Sequence, residues 1–86
     1  MLKIYGCMLC KDCVACREDL DKAGVDYMFL DFAQDLQNLK EFLKIRDGSP
    51  EFNEIRNTDR IGIPCIVTED GTVLLDWAVY VGQESS

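Results

Sequence analysis

Four cysteines at one fixed spacing, Cys7, Cys10, Cys13 and Cys16, constrain this chain more than any other feature. A fifth, Cys65, stands far from them, and there is no histidine. A disulfide framework ties distant segments of a chain together, whereas this cluster would tie only neighbours. Local thiol chemistry, redox or metal-based, is therefore the favoured reading. Without histidine there is no His-assisted nucleophile and no imidazole metal ligand. Site chemistry must rest on cysteine, carboxylates, Lys, Arg, Tyr and backbone groups.

At 86 residues the chain is long enough for a single domain, 1–86, with one modest core. The net charge of −7 argues against a broad basic patch, so a nucleic-acid partner is not expected. It also disfavours anionic membrane surfaces, and no apolar stretch approaches the roughly 20 residues that cross a bilayer. The opening Met1-Leu2-Lys3-Ile4-Tyr5-Gly6-Cys7 lacks the charged and apolar regions of a secretory leader. A cytoplasmic, monomeric protein is the expectation.

The hydrophobic pattern is of the α/β class. Leu2 to Tyr5 alternates as a strand that Gly6 ends. A helix starts near Cys10 to Asp12, with an apolar stripe of Cys13, Cys16 or the Arg17 stem, Leu20 and Ala23, and stops at Gly24. Asp26 to Asp31 is a second strand, which makes a right-handed βαβ unit. Leu36, Leu39, Phe42 and Leu43 form the buried face of a second helix ending at Asp47-Gly48. Ser49-Pro50-Glu51 opens a short helix to about Arg56 that buries Phe52 and Ile55. After a loop from Asn57 to Gly62, Ile63 to Val67 is an apolar strand of central type. Pro64 stands near its start, where a missing ladder donor is tolerated. The Asp70-Gly71 turn and Thr72 to Leu75 complete a hairpin. Residues from Trp77 onward are too few for a long helix; Trp77 and Tyr80 are expected to cover the open end of the sheet. The order is β-α-β-α-α-β-β.

Cys10-Lys11-Asp12-Cys13 is a C-x-x-C between a strand and a helix start. The amides and dipole of a helix N-terminus favour a thiolate there. The first cysteine gains most from this, and the second lies one turn behind at i+3. Lys11 favours the anion and Asp12 opposes it. Cys16 and Cys65 lie in apolar settings and are expected in the core. Cys7, in the loop, is either an incidental thiol or a partner for a local disulfide with Cys10. The even spacing also admits a metal or iron–sulfur reading. Along a helix, however, each step of three turns the side chain by about −60° and rises about 4.5 Å, so Cys10 and Cys16 diverge. A carrier site for zinc, copper(I) or a cluster on Cys7, Cys10 and Cys13 is the alternative.

Taken together, Ile4-Tyr5, Cys10-x-x-Cys13 and Gly62-Ile63-Pro64 resemble the glutaredoxin family, over roughly residues 2–76. The resemblance implies a thioredoxin-like fold: a four-stranded mixed sheet flanked by helices, here with the terminal helix short or absent. It implies a cis Pro64 and a thiol–disulfide oxidoreductase with Cys10 as nucleophile and Cys13 as resolving thiol. Substrate contacts fall to Tyr5, Lys11, Ile63 and Pro64, with Ile63 offering backbone groups to an extended thiol substrate. No tightly bound cofactor is implied. The partners would be protein disulfides or glutathione, with a reductase as electron donor, and glutathione as a co-substrate. The chain departs from the family pattern at three places. Lys11-Asp12 replaces Pro-Tyr, Cys7 replaces a basic residue that binds a glutathione carboxylate, and Leu75-Asp76-Trp77 replaces a Gly-Gly. Arg60 or Lys11 would have to supply the missing positive charge.

Overall fold

The computed structural model describes residues 1–53, 55 and 61–81. The chain runs β1 (Leu2–Gly6), α1 (Lys11–Lys22), β2 (Tyr27–Asp31), α2 (Leu36–Gly48), a single 3-10 turn (Pro50–Phe52), β3 (Cys65–Val67), β4 (Val73–Leu74) and α3 (Ala78–Val81). The strands form one open mixed sheet in the order β2-β1-β3-β4. β1 and β2 are parallel, with Leu2 opposite Tyr27 and Gly6 opposite Asp31. This is the pairing that a helical crossover through α1 imposes. β3 runs antiparallel to β1, with Tyr5 opposite Cys65, and β4 antiparallel to β3. Trimming the expected third strand to Cys65–Val67 leaves Ile63 and Pro64 just outside the ladder, which suits a residue with no N–H. The Ile63–Pro64 bond is cis.

Strand alternation sends successive side chains to opposite faces of the sheet. Ile4 and Ile66 point to one face and are buried with Cys16 and Leu20 of α1; Tyr27, Phe29, Trp77 and Tyr80 pack around them. Tyr5 and Cys65 point to the other face and are buried with Phe42 of α2 and Phe52; Leu39, Ile45, Ile55 and Ile63 pack around those. The result is two thin cores on either side of one sheet. The stripe of Cys13, Cys16 and Leu20 is fully buried as the sequence pattern predicts. Trp77 and Tyr80 cover the α1 face rather than the sheet's end, and the Trp77 indole donates to Asp19 Oδ2 at 2.8 Å.

The buried face of α2 differs from the expected one. Leu36 is 68% and Leu43 41% exposed, and Leu39, Phe42 and Ile45 turn inward instead. With successive residues about 100° apart, Leu36 and Leu43 lie roughly a third of a turn away from Phe42. Asp35 caps this helix by accepting from the Gln37 N–H at 2.9 Å. Of the helix expected from Ser49 to Arg56, the described residues show a 3-10 turn at Pro50–Phe52. It still buries Phe52 completely and packs Ile55. Arg56, Arg60 and most of the Asn57–Gly62 loop lie outside the described residues. No described helix is long and apolar enough to cross a membrane.

Candidate functional site

The cysteine loop begins where β1 ends. Cys7 to Cys10 form a turn closed by the Cys10 N–H donating to the Cys7 carbonyl at 3.0 Å. Cys10 then takes the N-cap position of α1, with extended backbone angles (φ −93°, ψ 126°), and its carbonyl accepts from Val14 N–H at 3.2 Å. The first amides of a helix have no intrahelical acceptor, so Cys10 stands where those donors and the positive end of the helix dipole gather. Cys7 and Cys10 are half-buried, and both are free thiols.

One turn further in, Cys13 is fully buried. Its thiol is pushed well above the ordinary 9.0, mainly by burial. The Cys10 side chain, both as a hydrogen-bond partner and as a nearby charge, pushes in the same direction. The Cys7 N–H donates to Cys13 Sγ at 3.5 Å and opposes the shift in part. The two sulfurs of the C-x-x-C therefore face each other, the inner one protonated and the outer one at the rim.

Gly6 makes that arrangement possible. A Cβ built on it would stand 2.6 Å from Cys13 Sγ, closer than any real contact. Sequence reasoning saw in Gly6 only a strand stop. Its packing role depends on where Cys13 lies in space, which no local pattern reveals. Gly62 acts similarly at the second chain segment of the site. Its φ of +94° suits glycine, and a Cβ there would meet the Phe52 ring at 2.6 Å. This close approach leads the chain into Ile63 and Pro64. The Tyr5–Cys65 register brings Pro64, buried, and Ile63, half-buried, beside the end of β1 where the cysteine loop starts.

The remaining expected site residues are placed as follows. Lys11 is exposed at the first position of α1. Tyr5 lies at the end of β1, but its ring enters the α2-side core, 4% exposed. Its hydroxyl donates to Glu41 Oε1 at 3.2 Å. Burial, with Glu41 beside it, pushes Tyr5 up to about 12. Cys16 and Cys65 are both core residues, on opposite faces of the sheet, and burial raises them to about 11 and about 12. Cys65 therefore faces away from Cys13. Among the described residues no group of three Cys, Asp or Glu side chains is arranged to hold a metal ion.

The stem of Arg17 is an alternative member of the helix stripe, and its head group makes contacts that the sequence pattern does not show. Its guanidinium lies 4.8 Å from the Phe29 ring centroid and donates to the Tyr27 hydroxyl at 3.2 Å. It also reaches Met8 Sδ at 3.2 Å, tying the cysteine turn to α1. Met8, Arg17, Tyr27 and Phe29 line a groove of about 630 Å³ along the outer strand β2.

No family model matches the chain. A protein of Haemophilus influenzae, described as uncharacterized, is 37% identical to it over 67 residues, which cover 78% of each chain. No solved structure matches.

Proposed function

The chain belongs to one family with that Haemophilus influenzae protein, and we propose that it is a glutaredoxin-like thiol–disulfide oxidoreductase built on a thioredoxin-like fold. One observation carries the reading: the residue at the N-cap position of the first helix bears a half-buried thiol, and a fully buried thiol faces it from one turn behind. Cys10 stands at a helix N-terminus, where unpaired amides and the positive end of the dipole gather. The protonated Cys13 adds an S–H donor toward Cys10. The strand order β2-β1-β3-β4, with only β1 and β2 parallel, and the Ile63-Pro64 segment beside the cysteine loop support the same reading.

In the proposed cycle the Cys10 thiolate attacks one sulfur of a substrate disulfide. A Cys10 mixed disulfide forms, and the other substrate sulfur leaves and takes up a proton. Cys13 then loses its proton and attacks Cys10 Sγ, which releases the second substrate thiol and leaves a Cys10–Cys13 disulfide. Two electrons have passed from the dithiol to the substrate. A reductase or glutathione returns them. Lys11 at the helix start, with the backbone of Ile63 and the surface of Pro64, makes the bed for the substrate chain. Tyr5 contributes through its strand backbone, since its ring is committed to the core. The substrates are protein disulfides or glutathione mixed disulfides, the compartment is the cytoplasm, and the acting form is a monomer.

Cys10→Ser is expected to abolish reduction of a protein disulfide, whether electrons come from glutathione with its reductase or from a thioredoxin reductase system. The couple is expected between about −270 and −200 mV, the range spanned by thioredoxin and the glutaredoxins. A Cys10→Ser chain that reduces disulfides at the wild-type rate would overturn the assignment.

A further inference from the structure

Cys7 has no part in the cycle above, yet it stands as near to Cys10 along the chain as Cys13 does. We propose that Cys7 is a second resolving thiol for Cys10, so that one attacking sulfur is served from the rim as well as from the core. This rests on the reading of Cys10 as the attacking thiol.

The geometry of the loop supports it. The Cys10 N–H to Cys7 carbonyl bond closes a β-turn over Cys7-Met8-Leu9-Cys10. The ends of such a turn lie within about 7 Å of each other, Cα to Cα. Disulfides span roughly 4.4–6.8 Å between the same atoms, so a small adjustment of the turn suffices. The side-chain tie on its middle, from Arg17 to Met8 Sδ, is at the exposed surface and on a flexible side chain, so the turn can adjust with it. Leu9 is 91% and Met8 41% exposed, so neither side chain anchors it in a core. The path from Cys13 is different. Its sulfur is sealed against Gly6, receives the Cys7 N–H, and lies in a wholly buried position that favours the neutral thiol. Cys7 is half-buried, with solvent at hand to take its proton.

The step balances as the Cys13 route does. Cys10 forms a mixed disulfide, and the first substrate thiolate leaves. Cys7 gives its proton to solvent and its thiolate attacks Cys10 Sγ. The bond from Cys10 to the substrate sulfur breaks, and that sulfur leaves as a thiolate and is protonated. The Cys7–Cys10 pair is oxidised by two electrons and the substrate disulfide reduced by two. Two equivalents of a small thiol, or one dithiol, restore the pair.

Tryptic mapping separates the two routes. Cleavage after Lys3, Lys11 and Arg17 puts Cys7 and Cys10 together in peptide 4–11, and Cys13 with Cys16 in peptide 12–17. The reduced full-length protein is mixed with bis(2-hydroxyethyl) disulfide, quenched in acid, alkylated and digested. The proposal predicts a population of peptide 4–11 lighter by two hydrogens and carrying no alkyl group. In Cys13→Ala that population becomes the sole oxidised product and 2-mercaptoethanol is still released in full. In Cys7→Ser/Cys13→Ala the mixed disulfide on Cys10 persists. The inference is overturned if wild type yields only peptide 4–11 joined to peptide 12–17 and Cys13→Ala stays trapped as the mixed disulfide. The wild-type map needs no variant to fold. Cys10→Ser serves as the separate control: full reducing activity there removes the reading beneath the inference, whereas a trapped Cys13→Ala with an inactive Cys10→Ser removes the inference alone.

Discussion

The two faces of the sheet differ in the side chains they bury completely. The α2 face is closed by large rings: Phe42 and Phe52 meet edge to face at 5.8 Å between centroids, and Phe32 and Phe42 lie 5.2 Å apart. On the α1 face the fully buried residues are smaller, Cys13 against Gly6 and Cys16 with Ile4, Leu20 and Ile66, and the rings of Tyr27, Phe29, Trp77 and Tyr80 pack at its partly buried margin. Rings fill volume and contribute the larger share of burial energy. Thiols and a glycine let a helix start lie close to the sheet. One face is built to hold the fold together, and the other to present a sulfur at its rim.

If that division is right, damage to the two faces has different consequences. The largest loss of stability is expected from Phe42→Ala. A truncated core phenylalanine costs about 3–5 kcal/mol, and at this chain length that approaches the whole folding free energy. Urea unfolding checks it. Whatever fraction stays folded is expected to keep the order of thiol reactivity, because the α1 face is untouched.

Alkaline pH strikes both faces. Burial holds Cys16 and Cys65 neutral up to about 11 and about 12, against an ordinary 9.0. The unfolded chain therefore loses these protons first. Stability is full below pH about 9 and falls as pH rises toward 11 and 12, by up to about 1.4 kcal/mol per thiol per pH unit. Unfolding midpoints measured from pH 7 to pH 10.5 are expected to drop steeply above 9. Cys65→Ala should flatten the drop without altering disulfide reduction. A midpoint that does not change with pH would contradict the burial described here.

A smaller effect on stability, but a selective one on chemistry, is expected of Gly6→Ala. The added methyl would meet Cys13 Sγ at 2.6 Å, so the sulfur must move. Overpacking of this kind costs about 1–3 kcal/mol. Tryptic mapping should show fewer Cys10–Cys13 crosslinks after oxidation, with alkylation of Cys10 unchanged. Equal loss at both cysteines would mean that the two faces do not divide their work as described.

Much of this was readable from residues in order. Strand–helix–strand at the start, the Asp70-Gly71 hairpin and the stripe of Cys13, Cys16 and Leu20 follow from period and turn chemistry alone. The position of Cys10 at the helix start follows from the same pattern. The face of α2 was misread because Leu36 and Leu43 extend a helical apolar spacing yet lie beyond the edge of the stripe that meets the sheet. Ile45 lies inside it. The committed ring of Tyr5 was not legible either: strand alternation says that it opposes Ile4, but not which face carries the cysteines. The contacts of Gly6 and Arg17 were not legible, because they are made against residues distant in the chain or in another element. Cys13 meets one, and Phe29, Tyr27 and Met8 meet the other.

The central claim is that the sulfur of Cys10, the N-cap residue of α1, reacts ahead of the others. Limiting iodoacetamide added to the fully reduced protein at neutral pH, followed by tryptic digestion and fragmentation of peptide 4–11, measures it directly. The account predicts that alkylation begins at Cys10, with Cys7 behind it and Cys13, Cys16 and Cys65 last. Alkylation that begins at Cys7, or that reaches a buried cysteine as quickly as Cys10, would contradict it.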